Sequence, residues 1–158
     1  MKELLFILMV GSLFAEEQIE SQEILDNITN GFSIKYEDII VIGNLNFTSI
    51  YDKNTVVPEP EKTILEKVIN LFINVDINEN REIISIIEIP VEFLCCTVIS
   101  KVIGWENDDD NGISYKAIFK NNTIFSNCIF KDEVLLKYTE FYGKTDFSNN
   151  NYQKSTIF

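Results

Sequence analysis

The sequence contains no histidine, and this absence removes several classes of site at once. Without imidazole there is no Ser–His or Cys–His nucleophilic pair, no histidine general base and no His-ligated metal. The three cysteines, Cys95, Cys96 and Cys128, form no CxxC pair that would indicate a zinc or redox motif. We therefore predict a non-enzyme with no catalytic, cofactor-binding or metal-binding residues. A bridge from Cys95 or Cys96 to Cys128 and buried free thiols both stay open, with free thiols favoured.

Positive charge is also scarce, since 13 Lys and Arg residues face 25 Asp and Glu residues and leave a net charge of −12. Arg81 is the only arginine. A chain of this charge repels phosphate backbones, so nucleic acid is not expected as a partner. An acidic surface keeps a protein soluble or attracts a cationic partner. No small-molecule substrate is evident.

Long apolar runs are missing apart from Leu4–Ala15, which follows the basic Lys2 and precedes a polar EEQ segment. This order of basic start, short apolar core and small residue is typical of a secretory signal peptide. The run is shorter than the roughly 20 residues of a membrane span. We predict a signal peptide at residues 1–15 and a secreted or cell-surface location. A buried helix and an uncleaved anchor are the alternatives.

Three further segments are set apart by composition. Residues 16–31 are predicted as an N-terminal capping helix, with Ser21 as the cap, Ile24, Leu25 and Ile28 on one face, and Gly31 at the end. Residues 51–80 contain two prolines and a helical pattern at 62–73, which predicts a loop or helical insertion. Residues 105–112 are predicted as an acidic loop. Its NDDDNG segment has part of a calcium-loop pattern, but Ile118 stands where a bidentate glutamate is needed.

A repeat emerges near the C-terminus, where large apolar residues recur at alternating spacings of six and five. They are Phe119, Phe125, Phe130, Leu136, Phe141, Phe147, Tyr152 and Phe158. A small or medium residue precedes each by two positions, and polar residues follow. Residues two apart in a strand face the same side, so both point inward and the polar pair forms a corner. Four such units close a coil of about 22 residues, and successive coils stack at about 4.8 Å.

The stretches TIFSN, CIFKD, TEFYG and TDFSN resemble the motif of the pentapeptide-repeat family. The alternation of six and five, with the lead-in NGFSIKYEDIIVIGNLN at residues 30–46, looks like exported pentapeptide-repeat proteins of methanogens. The match is clear over 117–158 and extends more loosely to Phe93 and Val98. The resemblance implies a mainly β fold, a right-handed quadrilateral β-helix over residues 32–158.

Two features depart from the family pattern. Ile118, Ile124, Ile129 and Leu135 occupy outward positions where polar residues are usual, which predicts one apolar, covered face of the solenoid. Phe158 occupies a ladder position with no capping segment after it. This indicates either end-to-end self-association or a truncated fragment of a longer repeat protein, with truncation slightly favoured.

These patterns predict a non-catalytic, exported or cell-surface scaffold that binds an unknown protein partner. The alternative is an acidic mimic of DNA that inhibits a DNA-binding enzyme such as a topoisomerase, a role that the family resemblance and the net charge suggest. Asn27, Asn46 and Asn121 begin N-x-[ST] sequons, and their use stays open. Asn121 lies at a predicted corner and is expected to be the most exposed of the three.

Overall fold

Short parallel strands dominate the computed structural model, which describes residues 16–50 and 81–158. A helix α1 (Ser21–Thr29) and a 3₁₀ helix (Phe47–Ile50) accompany them. The strands are β1 (Gln18–Glu20), β2 (Ile34–Glu37), β3 (Ile40–Ile42), β4 (Leu45–Asn46), β5 (Arg81–Ile87), β6 (Val91–Leu94), β7 (Thr97–Val98), β8 (Val102–Ile103), β9 (Trp105–Asp108), β10 (Ile113–Phe119), β11 (Thr123–Ser126), β12 (Ile129–Phe130), β13 (Val134–Leu135), β14 (Glu140–Phe141), β15 (Thr145–Asp146), β16 (Asn151–Tyr152) and β17 (Thr156–Ile157).

The strands form four sheets. Sheet A is β1-β3-β7-β12-β16, sheet B is β2-β6-β11-β15, sheet C is β4-β8-β13-β17, and sheet D is β5-β10-β14. From β5 onward the chain visits D, B, A and C in turn and then returns to D one strand further along. We call these circuits coil 2 (81–103), coil 3 (113–135) and coil 4 (140–157), and residues 34–50 coil 1. The described residues thus form a mainly β, parallel-strand solenoid.

The strand register carries the same repeat through all four coils. Partners in coils 3 and 4 are 22 residues apart, as in Phe119 opposite Phe141. Between coils 2 and 3 the separation is 32, and between coils 1 and 2 it is 57. The additional residues all fall between a strand of sheet C and the following strand of sheet D. Coils 1 and 2 therefore follow the period found in the C-terminal repeat, with an insertion at one corner.

Inward-facing aromatic rings stack from coil to coil. The ring centroids of Phe93 and Phe125 are 4.9 Å apart, and those of Phe125 and Phe147 are 5.6 Å apart, with nearly parallel planes. Phe130 stacks on Tyr152 at 5.1 Å in the same way. Each fully buried ring contributes about 1.5–3 kcal/mol through removal of apolar surface from water. Of the predicted ladder, Phe119, Phe125, Phe130 and Leu136 are buried in the core, three further members pack half-buried against it (Phe141, Phe147 and Tyr152), and Phe158 is 63% exposed.

One polar residue, Asn150, occupies an inward position and has all its hydrogen bonds made within the coil stack. Its amide nitrogen donates to the carbonyl of Phe125 at 2.7 Å, and its oxygen accepts from the Cys128 backbone N–H at 2.8 Å. Since both partners lie in coil 3, the side chain ties coil 4 to coil 3. This half-buried amide is tolerated at an inward position because its donors and acceptors are satisfied.

Helix α1 packs its apolar face, formed by Ile24, Leu25 and Ile28, into the core. It differs from the predicted 16–31 helix at its start, because Gln18–Glu20 form strand β1 in sheet A. The predicted cap at Ser21 is wrong: Ser21 is the first helical residue, and Glu20 holds the cap position without a side-chain bond. At the other end Gly31 has φ +79° and donates its N–H to the Ile28 carbonyl.

Two other predictions from the sequence need correction. Residues 105–112 are not wholly a loop, because β9 pairs antiparallel with β10 and only the residues between them form a turn. The outward residues Ile118, Ile124, Ile129 and Leu135 do not share one face, since they lie in sheets D, B, A and C. They surround coil 3 as a belt because each sheet receives one outward residue per coil.

Residues 1–15 and 51–80 lie outside the described part of the chain. The signal peptide and the helix at 62–73 therefore stay predictions. Within residues 16–50 and 81–158, no helix has the length and apolar character needed to cross a bilayer.

The corner between sheets B and A repeats one backbone conformation in every coil. Asp38, Cys95, Asn127 and Asn149 have φ between 54° and 57°, and register places them one above another. This left-handed conformation costs most side chains about 1–2 kcal/mol, whereas Asn and Asp adopt it readily. Cys95 is the residue in the column whose side chain does not favour the geometry.

We therefore expect Cys95→Asn to raise the free energy of unfolding by about 0.5–1 kcal/mol. Asn127→Val, at the equivalent corner of coil 3, should lower it by about 1–2 kcal/mol because a β-branched side chain resists positive φ. Denaturant unfolding under reducing conditions measures both. If C95N left the free energy of unfolding unchanged or lowered it, the idea that every residue of the column must adopt a positive φ at a cost set by its side chain would be wrong.

Gly143 lies where no side chain fits. A Cβ at this position would clash with the carbonyl group of Asn121 and lie 2.6 Å from the Asn122 backbone nitrogen, and backbone atoms do not yield. We expect Gly143→Ala to lower the free energy of unfolding by about 3 kcal/mol. Gly31→Ala is the control, because Gly31 has open space around it but a positive φ, and should cost about 1 kcal/mol. Equal losses in the two variants would contradict the steric argument.

Candidate interaction surface

The polar groups considered as sites from the sequence are engaged within the fold. Asn107 donates to Asp109, and Asp108 accepts from the Asn111 amide at 2.7 Å, so the NDDDNG turn closes on itself. The Asn111 amide lowers the pKa of Asp108. Across residues 16–50 and 81–158, no three carboxylate or thiol side chains converge as metal ligands would. The turn is a hydrogen-bonded surface feature.

The cysteines are free thiols. Cys96 and Cys128 are buried at successive inward positions of sheet A, whereas Cys95 is exposed at the preceding corner. The Cys128 Sγ donates to the Phe93 carbonyl at 3.4 Å, and the Cys96 Sγ donates to the Leu94 carbonyl at 3.2 Å. The neighbouring Cys96 thiol, together with burial, raises the pKa of Cys128, so Cys128 stays neutral. Both side chains act as small core residues.

The three sequons differ in exposure. Asn46 is half-buried, and its amide donates to Glu106 at 3.1 Å while its oxygen accepts from Thr48. Asn27 is also half-buried, with its amide 3.5 Å from the Tyr36 hydroxyl. Asn121 is exposed at a corner, as expected. Its side-chain oxygen accepts from the Asn122 backbone N–H at 2.8 Å.

A surface that the sequence did not single out lies on the outer side of sheet D. It combines aromatic rings, lysine ammonium groups and the Glu140 carboxylate, and each member contacts or lies opposite the next; Glu82 of the same sheet lies at its edge, 4.0 Å from Lys116 Nζ. We call it the aromatic–lysine patch, and it consists of Trp105, Lys116, Lys120, Lys137, Tyr138, Glu140 and Tyr142.

The β9–β10 hairpin brings Trp105 into the patch. Gly104 lies just before the hairpin. Ile103 pairs with Leu135, so the residues that follow them, Gly104 and Leu136, occupy equivalent core-ladder positions. Gly104 has no side chain to fill its own. A Cβ there would lie 2.8 Å from Leu136 Cδ2, so the neighbouring coil fills the space. The chain leaves sheet C at this point, and antiparallel pairing sets Trp105 opposite Lys116.

One end of the patch is an aromatic pair with a cation. The rings of Trp105 and Tyr138 meet edge to face, with centroids 5.3 Å apart. Tyr138 has φ 61°, and this corner conformation lets its ring stand outward. Lys137 Nζ lies 4.6 Å from the Tyr138 centroid and 5.7 Å from the Trp105 centroid, within cation–π range.

The other end is a charged network around Glu140. Lys116 Nζ lies 2.5 Å from Glu140 Oε1, and the Tyr142 hydroxyl donates to Glu140 Oε2 at 2.8 Å. The bond from Lys116 lowers the pKa of Glu140, and the same bond raises the pKa of Lys116. Lys120 Nζ lies 3.7 Å above the Tyr142 ring, one coil away. Lysine and tyrosine thus hold one another in fixed positions.

Lys120 and Lys137 differ from Lys101 and Lys154 in what their ammonium groups contact. Lys101 pairs with Glu133 at 2.6 Å and Lys154 with Asp132 at 3.0 Å. Among the residues described, Lys120 and Lys137 contact aromatic rings and form no ion pair. Lys120 still acts on Glu140, whose pKa is lowered first by the bond from Lys116 and further by the charge of Lys120. Beside the two lysines the side chains of Tyr138 and Tyr142 are 59% and 63% exposed, so the patch presents ammonium groups and open aromatic surface together.

The sequence held a weak signal for this surface. Lys137, Tyr138 and Tyr142 stand at corners where Asn, Asp, Ser and Gly are usual, and Trp105 is the only tryptophan. Large side chains at corners point to a role other than turning the chain. What the spacing did not reveal is that the hairpin places Trp105 next to a corner 33 residues away.

Comparison of the whole chain with protein-family models, curated proteins and solved structures gives no match in any of the three. The parallel-strand solenoid therefore rests on the strand pairing itself. The resemblance to pentapeptide-repeat proteins rests on the quoted motifs.

Glu140→Gln tests the charged network through its pH dependence. The pKa of Glu140 is lower in the folded chain than in the unfolded chain. The Glu140 carboxylate therefore stabilises the fold at pH values above its unfolded pKa, and this stabilisation is lost as the pH falls through its folded pKa. We expect wild-type Tm to fall more steeply than that of E140Q between about pH 5 and pH 3. Circular dichroism melts at a series of pH values provide the comparison.

Tyr142→Phe is the graded control for this prediction. It removes one donor to Glu140 and leaves Lys116, so its pH slope should lie between those of wild type and E140Q. Lys154 lowers the pKa of Asp132, and Ser148 lowers the pKa of Asp146. Both carboxylates are present in every variant, so each variant retains some loss of Tm at low pH. Identical slopes in wild type and E140Q would show that the network has no energetic role.

Proposed function

We propose that the chain is a non-catalytic repeat scaffold, exported or displayed at the cell surface, that binds a protein partner through the aromatic–lysine patch. The observation that carries this proposal is the exposure of Tyr138 and Tyr142 beside two lysines whose ammonium groups lie against aromatic rings. Tyrosine and tryptophan are enriched in protein interfaces, where a few aromatic anchors supply most of the binding energy.

The rigidity of the patch supports a binding role. Tyr142 is fixed by its bond to Glu140 and by the ammonium group of Lys120, and Tyr138 by the edge of Trp105. Side chains that are ordered before binding lose less conformational entropy when a partner arrives. Strands of sheet D, paired on both sides along β10, carry these side chains on a stiff support.

Ile86 adds apolar surface to the same sheet. It is the central outward residue of sheet D in coil 2, opposite Ile118, and its side chain is 43% exposed. Exposed apolar surface beside a polar rim is characteristic of interaction sites.

We further propose the finer architecture, a right-handed, four-sided β-helix of the pentapeptide-repeat kind. The regular 22-residue step between coils 3 and 4 and the stretches TIFSN, CIFKD, TEFYG and TDFSN support it. Parallel strands joined by crossovers are right-handed in nearly all proteins. Export is supported by the basic, apolar and small-residue order of residues 1–15.

The alternative role as a DNA mimic draws on the net charge of −12. A mimic needs rows of carboxylates spaced like phosphates along the outer surface. In coils 2 to 4, however, the central outward positions carry carboxylates only at Glu92, Glu140 and Asp146. Glu140 is already neutralised by Lys116. The described surface therefore favours the interaction scaffold.

Selection from a random peptide-display library on the full chain tests the proposed function. Enriched peptides should lose about tenfold or more in affinity against the double variant Tyr138→Ser/Tyr142→Ser, since about 1.4 kcal/mol of aromatic contact is a tenfold change. Phe32→Ser is the matched control, because Phe32 is also 63% exposed but lies outside the patch. Circular dichroism confirms that each variant is folded.

Peptides that bind wild type and F32S equally and fail against the double tyrosine variant would support the proposal. Failure to enrich any peptide over the tyrosine variant would overturn it.

A further inference from the structure

We propose that the partner recognised by the aromatic–lysine patch is a short acidic polypeptide segment with an apolar side chain among its carboxylates. The inference rests on the proposed function and names the chemistry of its partner. Lys120 and Lys137 supply the positive charge, and Tyr138 and Tyr142 supply the apolar surface.

Two lysines of the patch lie against aromatic rings. In a chain of net charge −12, carboxylates are plentiful, and Lys101, Lys116 and Lys154 each have one. Lys120 and Lys137 have aromatic rings in place of carboxylates within the described residues. A ring face attracts an ammonium group without neutralising it, so the ammonium group can still bind a carboxylate.

The charge of the whole molecule sets the size of the partner. Charges more than about 8 Å away are screened at physiological ionic strength, so a short segment on the patch responds to the nearby lysines. An extended polyanion such as a nucleic acid would reach past the patch and meet the acidic remainder of the surface. A second copy of the chain would bring its own charge of −12 and be repelled. A local acidic segment avoids both penalties.

The geometry sets the spacing of its charges. Lys137 stands at the corner where the chain enters sheet D, and Lys120 stacks over Tyr142 at the corner where it leaves. Tyr138 and Tyr142 are four residues apart, which is at most about 13 Å of extended chain. An extended peptide with carboxylates about four residues apart reaches both lysines, with its middle over sheet D. The apolar side chain between them meets the exposed tyrosine rings.

Fluorescence anisotropy with three labelled peptides tests the inference on the full chain. The peptides are about nine residues long, share a central phenylalanine, and carry flanking pairs of glutamate, glutamine or lysine about four residues apart. We expect the glutamate peptide to bind about tenfold more tightly than the glutamine peptide, and the lysine peptide to bind least. Lys120→Gln/Lys137→Gln should reduce the glutamate peptide to the level of the glutamine peptide.

Lys35→Gln/Lys131→Gln is the matched control, since it removes the same charge from two exposed lysines outside the patch and should leave the affinity unchanged. If glutamate and glutamine peptides bind equally, and Tyr138→Ser/Tyr142→Ser abolishes both, the acidic partner is wrong and the proposed function stands. If no peptide depends on the tyrosines, both are overturned. Tighter binding of a single-stranded oligonucleotide of equal charge through Lys120 and Lys137 would overturn the inference in favour of a general polyanion site.

Discussion

The structure depends on one constraint, namely that each coil must lie in register on the coil before it. Backbone hydrogen bonds between parallel strands and the stacking of inward side chains act at the same positions. A residue therefore interacts with the residue at the same position of the next coil in two ways, through the backbone hydrogen bonds of the sheet and through side-chain packing in the core. The close stacks of Phe93, Phe125 and Phe147 show this, since their strands pair in sheet B and their rings are almost parallel. Asn150 extends the rule to a polar side chain: it stands at the inward position that Cys128 holds in coil 3, and its amide bonds to the backbone of that coil. A slip of one residue would turn the core residues outward in every coil beyond it.

The same constraint decides where the chain is free to vary. Both described breaks in the 22-residue period lie between sheets C and D, so the other three corners keep their length in every coil. A corner that must place an αL residue above another, as in the Asp38, Cys95, Asn127 and Asn149 column, leaves no room for inserted residues. The β9–β10 hairpin is the insertion at this corner that the structure describes, and it pairs along sheet D. That is why the β9–β10 hairpin, and with it Trp105, reaches the surface where the two exposed tyrosines stand.

The sequence predicted the ladder well because a spacing of six and five is a direct record of inward positions, and Phe125, Phe130 and Leu136 lie in the core as expected. It did not predict properties that arise only when coils are superposed. Ile118 and Ile124 looked like members of one apolar face, since the alternation of sides is visible in a sequence and the change of sheet at each corner is not. The start of α1 was misplaced because Ser21 has the side chain of a cap, while the pairing of Gln18–Glu20 with β3 extends the strand to the helix. The patch was missed for a related reason, as its members come from a hairpin, two corners and two strands.

An acidic chain can keep a positively charged surface only if its own carboxylates stay away from the lysines. At the corner between sheets A and C, stacking brings opposite charges together, and Lys101 and Lys154 are neutralised by Glu133 and Asp132. On sheet D the residues stacked near Lys120 and Lys137 are aromatic, and the nearby Glu140 is occupied by Lys116 and the Tyr142 hydroxyl. Tyr142 therefore has two effects, since its ring lies against Lys120 and its hydroxyl helps to hold the Glu140 carboxylate in place. Because exposed ion pairs are weak, this separation of charges costs the fold little stability. It leaves two ammonium groups against exposed aromatic rings on sheet D, an arrangement that the described residues of the other three sheets do not repeat.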